Sequence, residues 1–206
     1  MSETNNRTVE SYNAHIQEYI DGTPHEVSGV VKDWLDGSLA DVPKDARILE
    51  FGSAFGRDAE YLAGLGYTVE CTDASTAFVD LLQQNGFDAK VLNAVTDELP
   101  QGLDYVLANA VLLHFTRDEA SQVIAKVYDA LNANGKFAFT LKQGEGEGWS
   151  EEKLGAPRFF CYWTEPQIRE VLESTGFADV EISGDKATAN AAWLQIVAKK
   201  NIDHEQ

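Results

Sequence analysis

The stretch RILEFGSAFGRDAEYLAGLGYTVECTD, residues 47–73, constrains the fold more than any other part of the chain. Ile48-Leu49 is a short apolar run that reads as a buried strand. The chain then turns through Glu50-Phe51-Gly52-Ser53-Ala54-Phe55-Gly56. Ala59, Leu62, Ala63 and Leu65 recur at roughly helical spacing. Gly64 and Gly66 punctuate the end of that helix. Residues 67–71 read as a second strand, which delivers Asp73. A strand, a glycine turn, a helix and a strand closing on an acid make the plan of a nucleotide-binding half-sheet.

Two details decide which nucleotide. The dinucleotide fingerprint wants glycine at its first, third and sixth positions. Counted from Gly52, those positions hold Gly52, Ala54 and Arg57, so the fingerprint fails and NAD is disfavoured. Glu50 is the second detail. A carboxylate at the mouth of the turn repels a pyrophosphate but receives an ammonium group. S-adenosylmethionine (SAM) has no phosphate; it carries an amino-acid ammonium, a sulfonium and a ribose diol. Glu50 suits its methionine end, and Asp73 is placed to accept from both ribose hydroxyls. The ligand's carboxylate meets free N–H groups of the turn and the helix start.

These residues resemble a family. Glu50-Phe51-Gly52-Ser53-Ala54-Phe55-Gly56-Arg57-Asp58 is similar to the [D/E]xGxGxG motif of class I SAM-dependent methyltransferases. Its GRD ending resembles small bacterial methyltransferases of the tellurite-resistance type. Ala54 stands where the middle glycine is usual. Residues 102–109, GLDYVLAN, resemble the family's "fDxV" strand, and LNANGKFAFTL resembles its "LkpGG" signature. The resemblance covers nearly the whole chain. It implies an α/β, Rossmann-like, seven-stranded sheet whose last strand runs antiparallel, with an N-terminal helical lid.

Taken in order, residues 1–6 read as disordered. Residues 8–20 read as one helix with Val9, Tyr12, Ile16, Tyr19 and Ile20 on a face, and residues 25–35 as another. In similar methyltransferases such a segment covers the cofactor mouth, with Tyr12 and Tyr19 the side chains expected there. Ser75 is a candidate N-cap for a helix ending near Gln84, and residues 87–92 read as the third strand. A helix from residue 117 or 118 to 131 precedes a fifth strand at 136–141. Lys142-Gln143-Gly144-Glu145-Gly146-Glu147-Gly148 reads as a flexible loop. Thr164 opens a helix that Gly176 stops, with Pro166 in its first turn. Strands at 180–183 and 191–199 form a closing hairpin, and 201–206 a tail. One domain over residues 1–206 is expected, with a lid over 1–44 and a core over 45–200.

Composition narrows the partners. Sixteen basic against 34 acidic residues leave a net charge of −18, which lacks the footprint of a nucleic-acid binder and repels anionic membranes. No apolar run approaches a membrane span, and the polar N-terminus is no signal peptide. Cys71 and Cys161 give neither a disulfide framework nor metal spacing. A cytoplasmic location is the expectation.

In such sheets ligands sit beyond the carboxyl ends of the strands. That edge gathers the candidate cofactor residues: Glu50, Gly52, Ser53, Ala54, Gly56, Arg57, Asp73, Ala74, Ser75, Asn93, Ala94, Asn109 and Ala110. Asn93 stands where class I enzymes often place an acid for the adenine amino group. Methyl transfer from a sulfonium is a direct displacement that mainly needs alignment and dryness. His114 is the candidate base. KQGEGEGWSEEKLGAPRFFCYW resembles a segment of the same small bacterial subfamily. Lys142, Arg158, Tyr162 and Trp163 are its candidate substrate contacts, and they suit an anionic or aromatic acceptor. Arg158 has a competing assignment, an ion pair with Glu145, Glu147, Glu151 or Glu152 that pins the loop. The reading is a small-molecule methyltransferase using SAM and releasing S-adenosylhomocysteine (SAH). The alternatives are a tRNA wobble-uridine methyltransferase and a non-catalytic SAM-binding protein.

Overall fold

The computed structural model describes residues 2–188 and 191–201. Three helices come first: α1 (Glu3–Ala14), α2 (Ile16–Asp21) and α3 (Gly29–Ser38). The alternating part follows as β1 (Ile48–Phe51), α4 (Arg57–Gly64), β2 (Val69–Asp73), α5 (Thr76–Gln84), β3 (Ala89–Val91) and β4 (Leu103–Ala108). A single 3-10 turn (Leu112–His114) leads to α6 (Arg117–Ala130) and β5 (Leu131–Lys142). Then come β6 (Glu147–Ser150), β7 (Arg158–Cys161), α7 (Glu165–Thr175), β8 (Phe177–Thr188) and β9 (Ala191–Lys200).

Among the described residues, seven strands form one sheet in the order β3-β2-β1-β4-β5-β9-β8. β1 pairs in parallel with β2 and β4, β2 with β3, and β4 with β5, while β9 runs antiparallel to both β5 and β8. The expected seven-stranded sheet with an antiparallel last strand is the one observed. Its strand order reverses between β1 and β4, which opens a crevice at their carboxyl ends.

Alternation along β4 shows why the sheet is covered twice. Val106 and Ala108 join one core with Phe137, Val123, Ile124 and Leu172. Tyr105 and Leu107 point the other way into a second core with Trp34, Leu35 and Leu62. Burying each such large side chain contributes about 1.5–3 kcal/mol. With both faces covered, β1 is buried at every position. Local signals agree with this packing. Thr116 and Glu119 form a capping box at the start of α6, Ser75 accepts from the Phe78 N–H, and Gly176 (φ 114°) ends α7.

Five expectations change. Residues 2–6 are not disordered: α1 begins at Glu3, with Ser2 accepting the Asn5 N–H as its N-cap. The helix expected over 8–20 is two, broken at His15, whose backbone leaves helical geometry (φ −131°). The second N-terminal helix starts at Gly29 rather than at 25. The glycine-rich stretch is only partly a loop, because β6 pairs antiparallel with β7, Trp149 opposite Phe159. Strand β5 also starts earlier, with Asn134 (φ 64°) as an irregularity inside it rather than a helix stop. Of the expected tail, residues beyond Asn201 lie outside the described ones.

Candidate functional site

Strand β1 delivers Glu50 to the crevice, and the turn after it is built on left-handed backbone. Gly52 (φ 62°), Ala54 (φ 50°) and Gly56 (φ 91°) all lie in that region. A Cβ on Gly52 would meet Val111 at 2.6 Å, and one on Gly56 would meet the Phe87 ring at 2.8 Å. Ala54 adopts the same conformation with a Cβ, at a cost of about 1–2 kcal/mol. Its N–H donates to Asp73 Oδ2 at 3.0 Å, which helps hold it there.

Asp73 closes β2 with both oxygens engaged, since the Ser75 N–H donates to Oδ1 at 2.8 Å. Burial pushes its carboxyl up to about 6, against these backbone donors. A carboxylate has about four lone-pair positions, so capacity for further donors remains. Glu50 is 2% exposed, and its Oε2 has no hydrogen-bond partner; nor has the Ser53 hydroxyl. Burial, and next the charge of Asp58, push Glu50 up to about 8.

Asp58, which closes the GRD motif and was given no role from sequence, organises the floor of the crevice. It receives Arg57 Nε at 2.7 Å and Asn109 Nδ2 at 2.8 Å. Thr140 Oγ1 in turn donates to Asn109 Oδ1 at 2.9 Å and accepts the Ala110 N–H. That chain ties α4 to the ends of β4 and β5. The only local hint was an acid directly after Arg57 in the first helical turn.

Helix α1 covers the other side. Its fully buried residues, Asn5, Thr8 and Ser11, are all polar. Asn93 Nδ2 donates to Asn5 Oδ1 at 2.7 Å, the Phe159 N–H to Thr8 Oγ1 at 3.0 Å, and Ser11 Oγ to the Pro157 carbonyl at 2.6 Å. Asn13 Oδ1 accepts from Ser75 Oγ, Thr76 Oγ1 and the Ala77 N–H, capping α5 from outside it. Asn5, Thr8 and Asn13 were missed as well; polar residues three apart on one helix face were the available signal.

Beneath α1, His114 is 8% exposed. Its Nδ1–H donates to the Phe159 carbonyl at 2.6 Å, which leaves Nε2 to accept the Tyr12 hydroxyl at 2.8 Å. Arg158 Nη1 donates to the same Tyr12 oxygen at 3.1 Å. Burial, joined by the charges of Arg158 and Lys142, pushes His114 down to about 3, so the ring is neutral and held in one tautomer. Burial raises Tyr12 and Tyr19, whose rings meet edge to face at 5.4 Å.

Two cavities result. One of about 100 Å³ is lined by Asp73, Ala74, Asn93, Ala94, Tyr12 and His114 among others. The second, about 370 Å³, lies over Glu50, Ser53, Arg57, Asn109, Tyr19 and Lys153. The candidate cofactor residues therefore converge on one crevice, though Gly56 and Arg57 differ in role: Gly56 packs on Phe87, and Arg57 is paired. Trp163 does not join them. It is 1% exposed, packed in the core beneath the Arg117 guanidinium at 4.5 Å. Tyr162 lies against Gly144 and, like Lys142 and Arg158, lines neither cavity. Trp163 belongs to the core that β7 leads into, and Tyr162 packs half-buried against it. Arg158 makes no ion pair with Glu145, Glu147, Glu151 or Glu152.

Residues 49–137 match a family model described as a methyltransferase domain. No curated protein matches the chain in a sequence search. Solved structures resemble it more widely. A Burkholderia thailandensis 1,6-didemethyltoxoflavin-N1-methyltransferase, with its substrate and SAH bound, is 20% identical over 96% of this chain and 87% of its own, with a TM-score of 0.71. Magnesium protoporphyrin IX methyltransferase from Synechocystis, with SAM bound, is 15% identical over 98% and 99%, with a TM-score of 0.76. A Haemonchus contortus phosphoethanolamine N-methyltransferase with phosphomonomethylethanolamine and SAH is 16% identical over 98% of this chain but 61% of its own, with a TM-score of 0.75. By that strand order and these likenesses the chain has the fold of class I methyltransferases, and its residues 49–137 are similar to a methyltransferase domain.

Proposed function

We propose that this protein transfers a methyl group from SAM to a small-molecule acceptor. The observation that carries the reading is Glu50: a buried carboxyl with an unpartnered oxygen, beside an unpartnered serine hydroxyl, at the mouth of a left-handed turn. Those are the groups that an ammonium would satisfy, and a pyrophosphate would not. Glu50 and Ser53 would hold the amino-acid end, Asp73 the ribose diol, and Asn93 with Ala94 the adenine side. Gly52, Ala54, Ser75, Asn109 and Ala110 would shape the surrounding wall. SAM supplies an electrophilic methyl on a sulfonium.

The chain's own residues do the rest. Helix α1 roofs the smaller cavity as a lid and excludes water. The Phe159 carbonyl fixes His114 so that Nε2 faces Tyr12. A proton leaving an acceptor atom at the Tyr12 oxygen would pass to His114 Nε2, which makes Tyr12 the contacting base and His114 its relay. Among the described residues no helix is long and apolar enough to cross a membrane. A small-molecule acceptor, a cytoplasmic setting and the narrower bacterial subfamily stay within this reading.

Titration calorimetry tests it. SAH should give saturable heat and NAD none. Heat from NAD with none from SAH would overturn the assignment.

A further inference from the structure

Three cations stand together beside the Tyr12–His114 pair. Arg158, at the start of β7, is 6% exposed, and its Nε is buried without a partner. Lys142, at the end of β5, lies 4.1 Å over the Phe160 ring, and Arg158 lies 5.1 Å from the same ring. Lys153, in the turn between β6 and β7, sits 4.0 Å over Tyr19 and donates to Thr23 Oγ1 at 2.6 Å. None of the three has a carboxylate within ion-pair distance among the described residues. Each nevertheless comes from a different segment, and the protein as a whole carries 34 acidic side chains against 16 basic ones.

Such an arrangement costs stability. Burial and then the charge of Arg158 push Lys142 down, against the opposing charge of Glu152. Burial, Arg158, Arg57 and Lys142 push Lys153 down to about 8. Buried charges are ordinarily paired. Arg158 is buried and the two lysines are half-buried, and in a chain with carboxylates to spare three such charges without an ion pair point to a charge that arrives from outside. The aromatic faces of Tyr12, Tyr19 and Phe160 hold the cations in place without neutralising them.

We infer that Arg158, Lys142 and Lys153 form an oxyanion subsite for the methyl acceptor, which is therefore a small molecule bearing a carboxylate or phosphate group. This rests on the methyltransferase reading and narrows its substrate. Arg158 offers its unused Nε edge, and the lysines supply point charges on flexible stems. An anion here would also offset the cations that press on His114, making Nε2 a better proton acceptor while substrate is bound. The subsite thus links recognition of the acceptor to readiness of the relay.

The test is a thermal-shift and calorimetric titration of the full chain with inorganic phosphate and, separately, malonate. Sodium chloride at equal ionic strength is the reference, and each titration is run with and without SAH. One of the two oxyanions should stabilise saturably beyond chloride, and which one does so distinguishes phosphate from carboxylate. The effect should persist in the SAH complex. Lys153→Met keeps the stem over Tyr19 and removes the charge; it should weaken oxyanion binding by about tenfold or more. Its ligand-free melting temperature should equal or exceed that of the wild type. Arg158→Lys should weaken the oxyanion similarly while SAH affinity holds. An absent oxyanion effect overturns the inference. So does an effect unchanged in Lys153→Met with a lowered melting temperature. Competition between oxyanion and SAH overturns it too, because the cations would then serve the cofactor's own carboxylate. Retained oxyanion binding without SAH binding supports the anion site and overturns the methyltransferase reading instead.

Discussion

Replacing Glu50 with glutamine tests the cofactor assignment through protons rather than affinity alone. Glu50→Gln keeps the shape and removes the titration. A carboxyl pushed up to about 8 is ~90% protonated at pH 7. An ammonium arriving against Oε2 drives that proton off, so SAH binding should release about 0.9 proton at pH 7. Asp73, pushed up to about 6, adds only about 0.1. Calorimetry in buffers of different ionisation enthalpy reads this number as a slope. In Glu50→Gln the slope should collapse to the small Asp73 contribution. Losing a hydrogen bond to a charged group is worth about 1.5–3 kcal/mol, or about 10- to 100-fold in affinity. At pH 7 the wild type spends about 1.4 kcal/mol expelling its proton, so the gap between the proteins should widen towards pH 8. Ligand-free stability has a definite sign as well. A carboxyl whose folded value exceeds its ordinary 4.5 holds its proton more tightly folded than unfolded. The protein should therefore lose up to about 1.4 kcal/mol per pH unit as pH climbs from about 4.5 towards 8, and Glu50→Gln should lack that part of the slope. Binding without proton release, or with the same release in Glu50→Gln, refutes the role given to Glu50.

Four further outcomes are expected. Asp73→Ala should weaken SAH binding by about 1–3 kcal/mol in calorimetry, and an unchanged affinity would show that Asp73 does not hold the ribose. Tyr12→Phe should lower kcat on an accepted substrate by about 100-fold while SAH affinity stays within about twofold, because the hydroxyl is lost but the ring remains; an unchanged kcat removes Tyr12 from the proton path. Gly56→Ala should lower denaturant stability by about 2 kcal/mol or more, from left-handed strain and the Phe87 contact together, and a neutral effect would contradict that packing. Gel shifts with tRNA at physiological salt should show no complex at micromolar protein, and a complex there would return the nucleic-acid alternative.

The parts of the fold legible in the sequence are those whose cause is local. Gly52 and Gly56 stand at left-handed backbone, and Ser75 and Gly176 cap helices through neighbours a few residues away. The parts that were not legible depend on distant partners. Asn13 caps a helix that begins 63 residues later, and Asn109 reaches Asp58 across 51. Glu147-Gly148-Trp149-Ser150 has the composition of a loop and becomes a strand only because Arg158–Cys161 pairs with it. Helix α1 buries Asn5, Thr8 and Ser11, so its start lacks the apolar periodicity that marks a helix. Trp163 misled in the opposite sense: an aromatic run after a glycine-rich loop resembles a wall around a ligand, yet this tryptophan belongs to the core.

The polar underside of α1 bears on the rhythm of turnover. A helix seated on apolar side chains leaves its dock only by exposing them. One seated on Asn93, Ser75 and the backbone of β7 exchanges those partners for water at about 0.5–1.5 kcal/mol apiece. It is a door with a latch rather than a glued panel. The same movement that frees Asn5 and Asn13 from the nucleotide side carries Tyr12 away from His114 and Arg158. In the proposed reaction, proton relay and open doorway would therefore exclude one another, and spent cofactor would depart only while the chemistry is dismantled.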